Sequence, residues 1–323
     1  MAKLLVTHQL PGERVLELPD HCDMNVWMGP GLLPAVSLRE ELSVCDGLLC
    51  LLTDRIDEEL LDANPQLRFI ASMSVGVDHI DVTAATARGI PVGNTPGVLV
   101  ETTADATFAL MLAAARRLVE ADRFVRGGHW RVENAWSPEF FAGKDVAGAT
   151  LGIVGLGDIG QAVARRASGF RMRVLGWNRT PREVPGVENV ELDDLLAASD
   201  FVTINVALDV GTRNLIDARR IGLMKSDAVL VNTARGGIVD EAALAYALSH
   251  DKLAAAGLDV FDREPIPDEH PLMGLPNIIT TPHIGSASEA TRGSMADVAA
   301  ENALAALAGE RMPHCVNPEV YDS

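Results

Sequence analysis

The sequence predicts an α/β protein of two domains, each a doubly wound parallel sheet with helices on both faces. Three observations predict it. A chain of 323 residues exceeds the size at which a single hydrophobic core stops growing. Short apolar runs alternate with amphipathic stretches from end to end, the pattern of strand–helix units. A glycine-rich turn near the middle joins one apolar run to a helix. Hydrophobic residues make up 48% of the chain, enough to fill two cores, so an ordered protein is expected.

The elements follow in order. Lys3–Val6 reads as a strand, and Thr7-His8-Gln9 leads from it to a Pro11-Gly12 turn. Leu48–Leu52 and Arg68–Ser72 read as further strands, with helices at Ala35–Leu42 and Asp57–Ala63. Asn94-Thr95-Pro96-Gly97 is a turn signal and marks a change of domain. A long helix is expected from about Thr102 to Arg117, with Glu101 before its first turn and Arg116-Arg117 in its last, as the helix dipole favours. Gly127-Gly128-His129-Trp130 and the aromatic stretch Trp136 to Phe141 follow neither period and read as a loop or lid. From Thr150 a second α/β unit begins, with strands at Leu151–Val154, Met172–Trp177, Phe201–Asn205, Ala228–Asn232, Ala254–Leu258 and Ile278–Thr281. An Ala-rich helix from about Ser288 to Leu307 precedes a short tail.

Charge and cysteine usage exclude several function classes. The net charge of −18 repels phosphate backbones and anionic membranes, so neither nucleic acid nor membrane is an expected partner. Any anion site must be built locally from arginines and backbone amides. Cys22, Cys45, Cys50 and Cys315 form no C-x-x-C pair and have no histidines at zinc spacing, so free thiols and no metal site are expected. The N-terminal apolar run is too short for a signal peptide, and no run reaches the ~18 residues of a membrane span. A cytoplasmic location is expected.

Leu151-Gly152-Ile153-Val154 runs into Gly155-Leu156-Gly157-Asp158-Ile159-Gly160 and then into the helix Gln161–Ala167. A glycine hexapeptide alone is weak evidence. Between a buried strand and a helix, with a second strand behind, it is the dinucleotide turn of a Rossmann domain. Gly155 permits the tight turn, Gly157 admits a pyrophosphate to the backbone, and Gly160 lets helix and strand pack closely. The second strand ends Gly176-Trp177-Asn178-Arg179-Thr180-Pro181-Arg182, with no acid at its tip to bond a ribose 2′-hydroxyl. Asn178, Arg179 and Thr180 can all donate to a 2′-phosphate. NADPH is therefore expected as the preferred cofactor, with NADH possible.

Three downstream segments each place a polar residue at or beyond a strand end: Arg235 in Val231 to Gly237, Glu264 after Gly257 to Phe261, and His283 in Thr281 to Gly285. Ligands of open α/β sheets bind beyond the carboxyl ends of strands. The chemistry fits carbonyl reduction: histidine donates a proton near neutral pH, a carboxylate favours its imidazolium form, and arginine holds a carboxylate while stabilising an oxyanion. Spacing alone leaves other readings open. Glu264 could be a surface carboxylate before a proline, His283 a loop histidine and Arg235 half of a structural ion pair.

Taken together, Ser74-Val75-Gly76-Val77-Asp78-His79, Gly155 to Gly160, Asn232 to Gly237, Gly257 to Glu264 and Pro282 to Ser286 resemble the D-isomer-specific 2-hydroxyacid dehydrogenase family over essentially the whole chain. Within it the chain is similar to glyoxylate/hydroxypyruvate reductases. The resemblance implies a flavodoxin-like substrate domain split between residues 1–100 and 288–323, a Rossmann domain at 101–287, and an active site in the cleft. It implies that Arg235 binds and polarises a small 2-keto acid, that His283 is the acid/base and that Glu264 pairs with it. The amides of Val75 and Gly76 would receive the substrate carboxylate, and Asp259 would sit near the nicotinamide amide. Further cofactor contacts are implied at Thr103, Thr233, Ala234 and Gly285. Family members are typically homodimers, and the segment around Trp136, Phe140 and Phe141 resembles one that reaches toward the neighbour.

The expected reaction is reduction of glyoxylate to glycolate and hydroxypyruvate to D-glycerate. The chain ends soon after its last helix, which argues against a regulated phosphoglycerate dehydrogenase. 2-Ketogluconate reductase is an alternative enzyme reading. A dinucleotide-sensing dimer resembling the C-terminal binding protein corepressors is a non-enzymatic one, although the long tails of those proteins are missing.

Overall fold

A computed structural model describes residues 1–322. The chain divides into two compact units: Met1–Leu99 joined by the C-terminal segment from Ala287, and Val100–Ser286.

In the first unit, β1 (Lys3–Val6), β2 (Asp23–Val26), β3 (Gly47–Cys50), β4 (Phe69–Ser72) and β5 (Val92–Gly93) form one parallel sheet in the order β2-β1-β3-β4-β5. This is the flavodoxin-like order. Side chains alternate across it, as a pleated strand requires. Leu5, Leu48, Cys50 and Ile70 enter one core, with Leu38 and Leu42 of the helix Ala35–Leu42 and Leu60 and Leu61 of the helix Glu58–Ala63. Leu4, Val6, Leu49, Phe69 and Ala71 enter the other. The helix Glu289–Leu307 covers that second face with Met295, Ala296, Ala299, Ala300 and Ala303, a helical repeat of small residues. Its start is set by Ser288, whose hydroxyl accepts from the Thr291 amide.

In the second unit, β6 (Thr150–Val154), β7 (Arg173–Trp177), β8 (Val187–Asn189), β9 (Phe201–Ile204), β10 (Val229–Asn232), β11 (Ala255–Leu258) and β12 (Ile278–Thr280) are all parallel, in the order β12-β11-β10-β9-β6-β7-β8. This is the Rossmann order with one strand added. Leu151, Ile153, Phe201, Val229 and Val231 pack against the helices Val100–Ala115 and Asp158–Gly169. Val154, Val202, Ile204, Leu230 and Leu258 pack on the other face against Leu195, Leu196, Leu244 and Leu248. Truncating a fully buried leucine here, such as Leu195, would cost ~2–5 kcal/mol.

Three strands lie outside the sequence reading, β2, β5 and β8, and all three are sheet edges. Asp23-Met24-Asn25-Val26 and Val187-Glu188-Asn189 bury little of either face, so they carry no apolar run to read. The long helix also differs from expectation. It starts at Val100 and ends at Ala115, because Arg117 takes a left-handed φ of 53°. Glu101 lies inside its first turn and binds Arg165 and Arg166, while Arg117 bonds Glu120 on the next helix, Leu118–Arg126. These charges serve ion pairs more than the helix dipole. Among the described residues, no helix is long and apolar enough to cross a membrane.

Candidate active site

The glycine turn in the second unit is shaped as a cradle. Gly155 sits at φ +106°, where a side chain would be strained, and a Cβ at Gly160 would collide with the Gly155 carbonyl. Gly157 caps the helix Asp158–Gly169 without a side chain, and the space where its Cβ would stand is open. Leu156 is held from both sides: its amide donates to Asn178 Oδ1 at 3.1 Å, and its carbonyl accepts from Arg182 Nη1 at 3.0 Å. Among the described residues, three buried side-chain atoms of this unit, Thr103 Oγ1, Thr203 Oγ1 and Asn205 Oδ1, have no partner within the protein. An open helix N-terminus with buried donors and acceptors to spare fits a dinucleotide. Asp158 and Ile159 open the helix itself.

At the tip of β7, Asn178 Nδ2 donates to the Thr180 carbonyl at 2.7 Å. Arg179 is not a lone cation. Its Nη2 lies 2.6 Å from Asp209 Oδ2. Arg182 is committed to the turn through Leu156. Sequence reading missed Asp209, thirty positions from its partner, because nothing in the intervening sequence signals the pairing.

Beyond β10, Asn232 clasps the next turn: its Oδ1 accepts from the Ala234 amide at 3.0 Å and its Nδ2 donates to the Arg235 carbonyl at 2.8 Å. Thr233 Oγ1 bonds Thr107 Oγ1 at 2.7 Å. Arg235 is half-buried, and its Nη1 donates to the Ala234 carbonyl. Gly236 lies so close to Phe261 and Asp262 that any Cβ would strike their backbone. The turn carrying Arg235 and the segment leading to Glu264 are therefore packed backbone to backbone.

Glu264 Oε1 accepts from the Phe261 amide at 2.9 Å, and Oε2 lies 2.7 Å from His283 Nδ1. Burial raises the Glu264 carboxyl. The His283 hydrogen bond, the Phe261 amide and the nearby Arg235 charge outweigh it and hold the group below the usual glutamate range. An ionised carboxylate only accepts, so His283 Nδ1 carries the shared hydrogen. Glu241 supports the same segment by accepting from the Asp262 amide at 2.7 Å. Burial pushes Glu241 upward despite that bond and His270 beside it.

His283 takes a left-handed φ of 55°. Asp259 holds it there. Asp259 Oδ1 accepts from Thr281 Oγ1 at 2.6 Å and the Ile284 amide at 2.8 Å, Oδ2 accepts from the Gly285 amide at 2.7 Å, and its carbonyl accepts from the His283 amide at 2.9 Å. At 1% exposure with every one of these bonds made, Asp259 is a staple for the turn from Thr281 to Gly285.

In the first unit, the segment after β4 presents its backbone. The Ser74 carbonyl accepts from the Thr95 amide at 2.9 Å, and the Val75 carbonyl accepts from Asn94 Nδ2 at 2.9 Å. Across each planar trans peptide the N–H points the opposite way, so the amides of Val75 and Gly76 face away from Asn94 and Thr95. Ser74 Oγ donates to the Gly76 carbonyl at 2.8 Å and shares a 2.7 Å bond with Ser72 Oγ, which lies 3.1 Å from His79 Nε2. Asn94 is braced in turn: Asn302 Nδ2 donates to its carbonyl and its amide donates to the His314 carbonyl.

The aromatic segment is irregular, as expected of a loop. Phe124, Phe140 and Phe141 pack edge to face, while Trp130 and Trp136 are exposed.

A sequence model described as D-isomer specific 2-hydroxyacid dehydrogenase, NAD binding domain, matches residues 108–285. The chain is 48% identical over 322 residues to a glyoxylate reductase from Korarchaeum cryptofilum, covering 98% of this chain and 96% of that one. A solved structure from Thermus thermophilus superposes with a TM-score of 0.90 at 47% identity, covering 97% of this chain and 99% of that one. The structure of an NADPH-dependent glyoxylate/hydroxypyruvate reductase from Sinorhizobium meliloti, in complex with NADP and malonate, superposes with a TM-score of 0.87 at 34% identity, covering 98% and 97%.

Proposed function

We propose, from the premise that this chain belongs to the D-isomer-specific 2-hydroxyacid dehydrogenase family and is an oxidoreductase using a nicotinamide dinucleotide, that it reduces glyoxylate and hydroxypyruvate with NADPH as the preferred reductant. The observation that carries this reading is the 2.7 Å bond between Glu264 and His283 beyond the strand ends of the unit that holds the dinucleotide turn.

When bound, a reduced nicotinamide would supply a hydride to the keto carbon. The residues of the chain do the rest. Glu264, which can only accept, keeps the shared hydrogen on Nδ1 of His283 and orients the ring. The proton on Nε2 then passes to the carbonyl oxygen as that oxygen gains charge, leaving a hydroxyl and a neutral imidazole. Proton donation of this kind is worth ~10²–10⁴ in rate. Arg235 holds the keto acid and stabilises the developing oxyanion through its guanidinium. We assign the substrate carboxylate to the amides of Val75 and Gly76, supported by the outward turn of their peptide planes. Thr103, with its buried unpartnered hydroxyl, and Gly155 to Gly160, Thr233, Ala234 and Gly285 are assigned to the cofactor. Asp259 acts on it indirectly, through the turn it staples.

The test is a steady-state panel of glyoxylate, hydroxypyruvate and 2-ketogluconate against NADPH and NADH. The expected result is a higher kcat/KM for the two small acids and for NADPH. A higher kcat/KM for 2-ketogluconate overturns the substrate assignment, a higher one for NADH overturns the cofactor preference, and no turnover with any keto acid favours a dinucleotide-sensing role.

A further inference from the structure

We propose that Asp209 is a specificity-determining residue that opposes the 2′-phosphate of the cofactor by holding Arg179 in a carboxylate pair the phosphate must break. The inference rests on the reading that Asn178, Arg179 and Thr180 face the ribose 2′ position.

Two polar side chains at the tip of β7 are already committed. Asn178 bonds Leu156 and Thr180, and Arg182 bonds the Leu156 carbonyl, so both shape the dinucleotide turn. Arg179 is the remaining guanidinium beside the 2′ position, and its Nη2 sits 2.6 Å from Asp209 Oδ2. The pair lies over Gly211, whose Cβ would stand 3.3 Å from Asp209 Oδ1 and 3.7 Å from Arg179 Nη2.

Asp209 does not travel with Arg179. Its Oδ1 accepts from the amides of Gly211 at 2.7 Å and Thr212 at 3.0 Å. Its own amide donates to Thr212 Oγ1 at 2.7 Å, and that hydroxyl donates to the Ala207 carbonyl at 2.6 Å. Thr212 is 2% exposed, so this turn is anchored in the core. Arg179, a flexible side chain on an exposed tip, is the mobile partner.

A ribose 2′-hydroxyl asks nothing of Arg179, and the pair can persist beneath it. A phosphate dianion needs the guanidinium and takes it from Asp209, which leaves a fixed carboxylate facing the new anion. Both members are substantially exposed, so solvent screening confines the effect to a modest factor.

Calorimetric titration of the full chain with 2′,5′-ADP and with ADP tests this without turnover. Asp209→Asn keeps an oxygen for the Gly211 and Thr212 amides but removes the charge. Its affinity for 2′,5′-ADP is expected to rise about three- to fivefold, with ADP affinity changing by less than about 1.5-fold. Arg179→Ala is expected to lower 2′,5′-ADP affinity, and in the double variant the gain from Asp209→Asn should shrink to what relief of direct charge repulsion supplies. An unchanged or lowered ratio of 2′,5′-ADP to ADP affinity in Asp209→Asn overturns the proposal, since Asp209 would then be neutral or would orient Arg179 for the phosphate. Wild-type preference for ADP together with a raised ratio in Asp209→Asn overturns the NADPH reading while supporting the role given to Asp209.

Discussion

Past the carboxyl ends of their strands, the two sheets carry different polar chemistry. In the first unit the groups around the ends of β4 and β5 are mostly neutral, Ser72, Ser74, Asn94 and the peptides of Val75 and Gly76, with His79 bonded to Ser72 behind them. In the second they are ions and a titratable ring: Arg235, Glu264 and His283. Ser72 and Ser74 are at most 2% exposed, whereas the side chains of His283 and Glu264 retain 22% and 28%. Neutral donors become rigid by being buried and hydrogen-bonded, which suits holding an anion in a fixed place. A proton donor must be reachable and must change charge, which burial opposes. Asp54 shows that opposition directly. Burial pushes its carboxyl above the usual range, against the Thr7 hydroxyl and Leu51 amide that lower it. On the proposed function, the neutral groups of the first unit would supply geometry and the charged pair of the second would supply the proton.

The largest expected effect comes from removing the proposed proton donor. In His283→Asn, where asparagine tolerates the left-handed φ, kcat should fall ~10²–10⁴-fold, with ADP affinity retained by calorimetry. An unchanged kcat would show that the charged cluster is not where the proton moves. Glu264→Gln should be intermediate. Losing a charge-assisted bond to His283 is expected to lower kcat/KM about 10- to 100-fold. It carries a pH signature as well. Glu264 is held below the usual glutamate range, so its folded pKa lies below its unfolded one. Its stabilisation is present above ~pH 4.3, the unfolded value, and is lost as pH falls through the folded value. Thermal melts on acidification should therefore show a smaller fall in Tm for Glu264→Gln than for the parent; an equal fall would mean that the pair contributes no proton linkage. Ser74→Ala should have the smallest effect and of a different kind. It removes the bonds to the Gly76 carbonyl and Ser72 Oγ, together worth ~1–2 kcal/mol, so KM should rise about fivefold with kcat within about twofold. A fall in kcat at unchanged KM would break the division between the two units.

Central strands were legible because both of their faces are buried. Phe201–Ile204 and Val229–Asn232 are buried at every position and mostly apolar, and their ends differ from the sequence reading by a single residue. The edge strand β8 was not, since Val187-Glu188-Asn189 has no buried face to leave a pattern. At the site, a strand–turn–helix motif such as Gly155 to Gly160 is legible because local backbone geometry demands its glycines. Partnerships across the sheet are not. Nothing local tells that Arg179 meets Asp209, that Asp259 staples the turn from Thr281 to Gly285, or that Glu241 supports Asp262. Those contacts depend on which strand lies beside which, and that order emerges only on folding.

The bracing of Asn94 by Asn302 and His314 has a consequence for how the molecule is made. A ribosome delivers the chain from its N-terminus, and domains generally fold as units. The five strands of the first sheet emerge early, yet one face waits for the helix Glu289–Leu307 while Val100–Ser286, a continuous segment, is synthesised between them. Leu4, Val6, Leu49, Phe69 and Ala71 share that face early with Val15 and Leu18, but lack the cover of the helix Glu289–Leu307 through most of translation. The half of the protein that is written first is completed last, and its nascent sheet is the surface on which a chaperone would act.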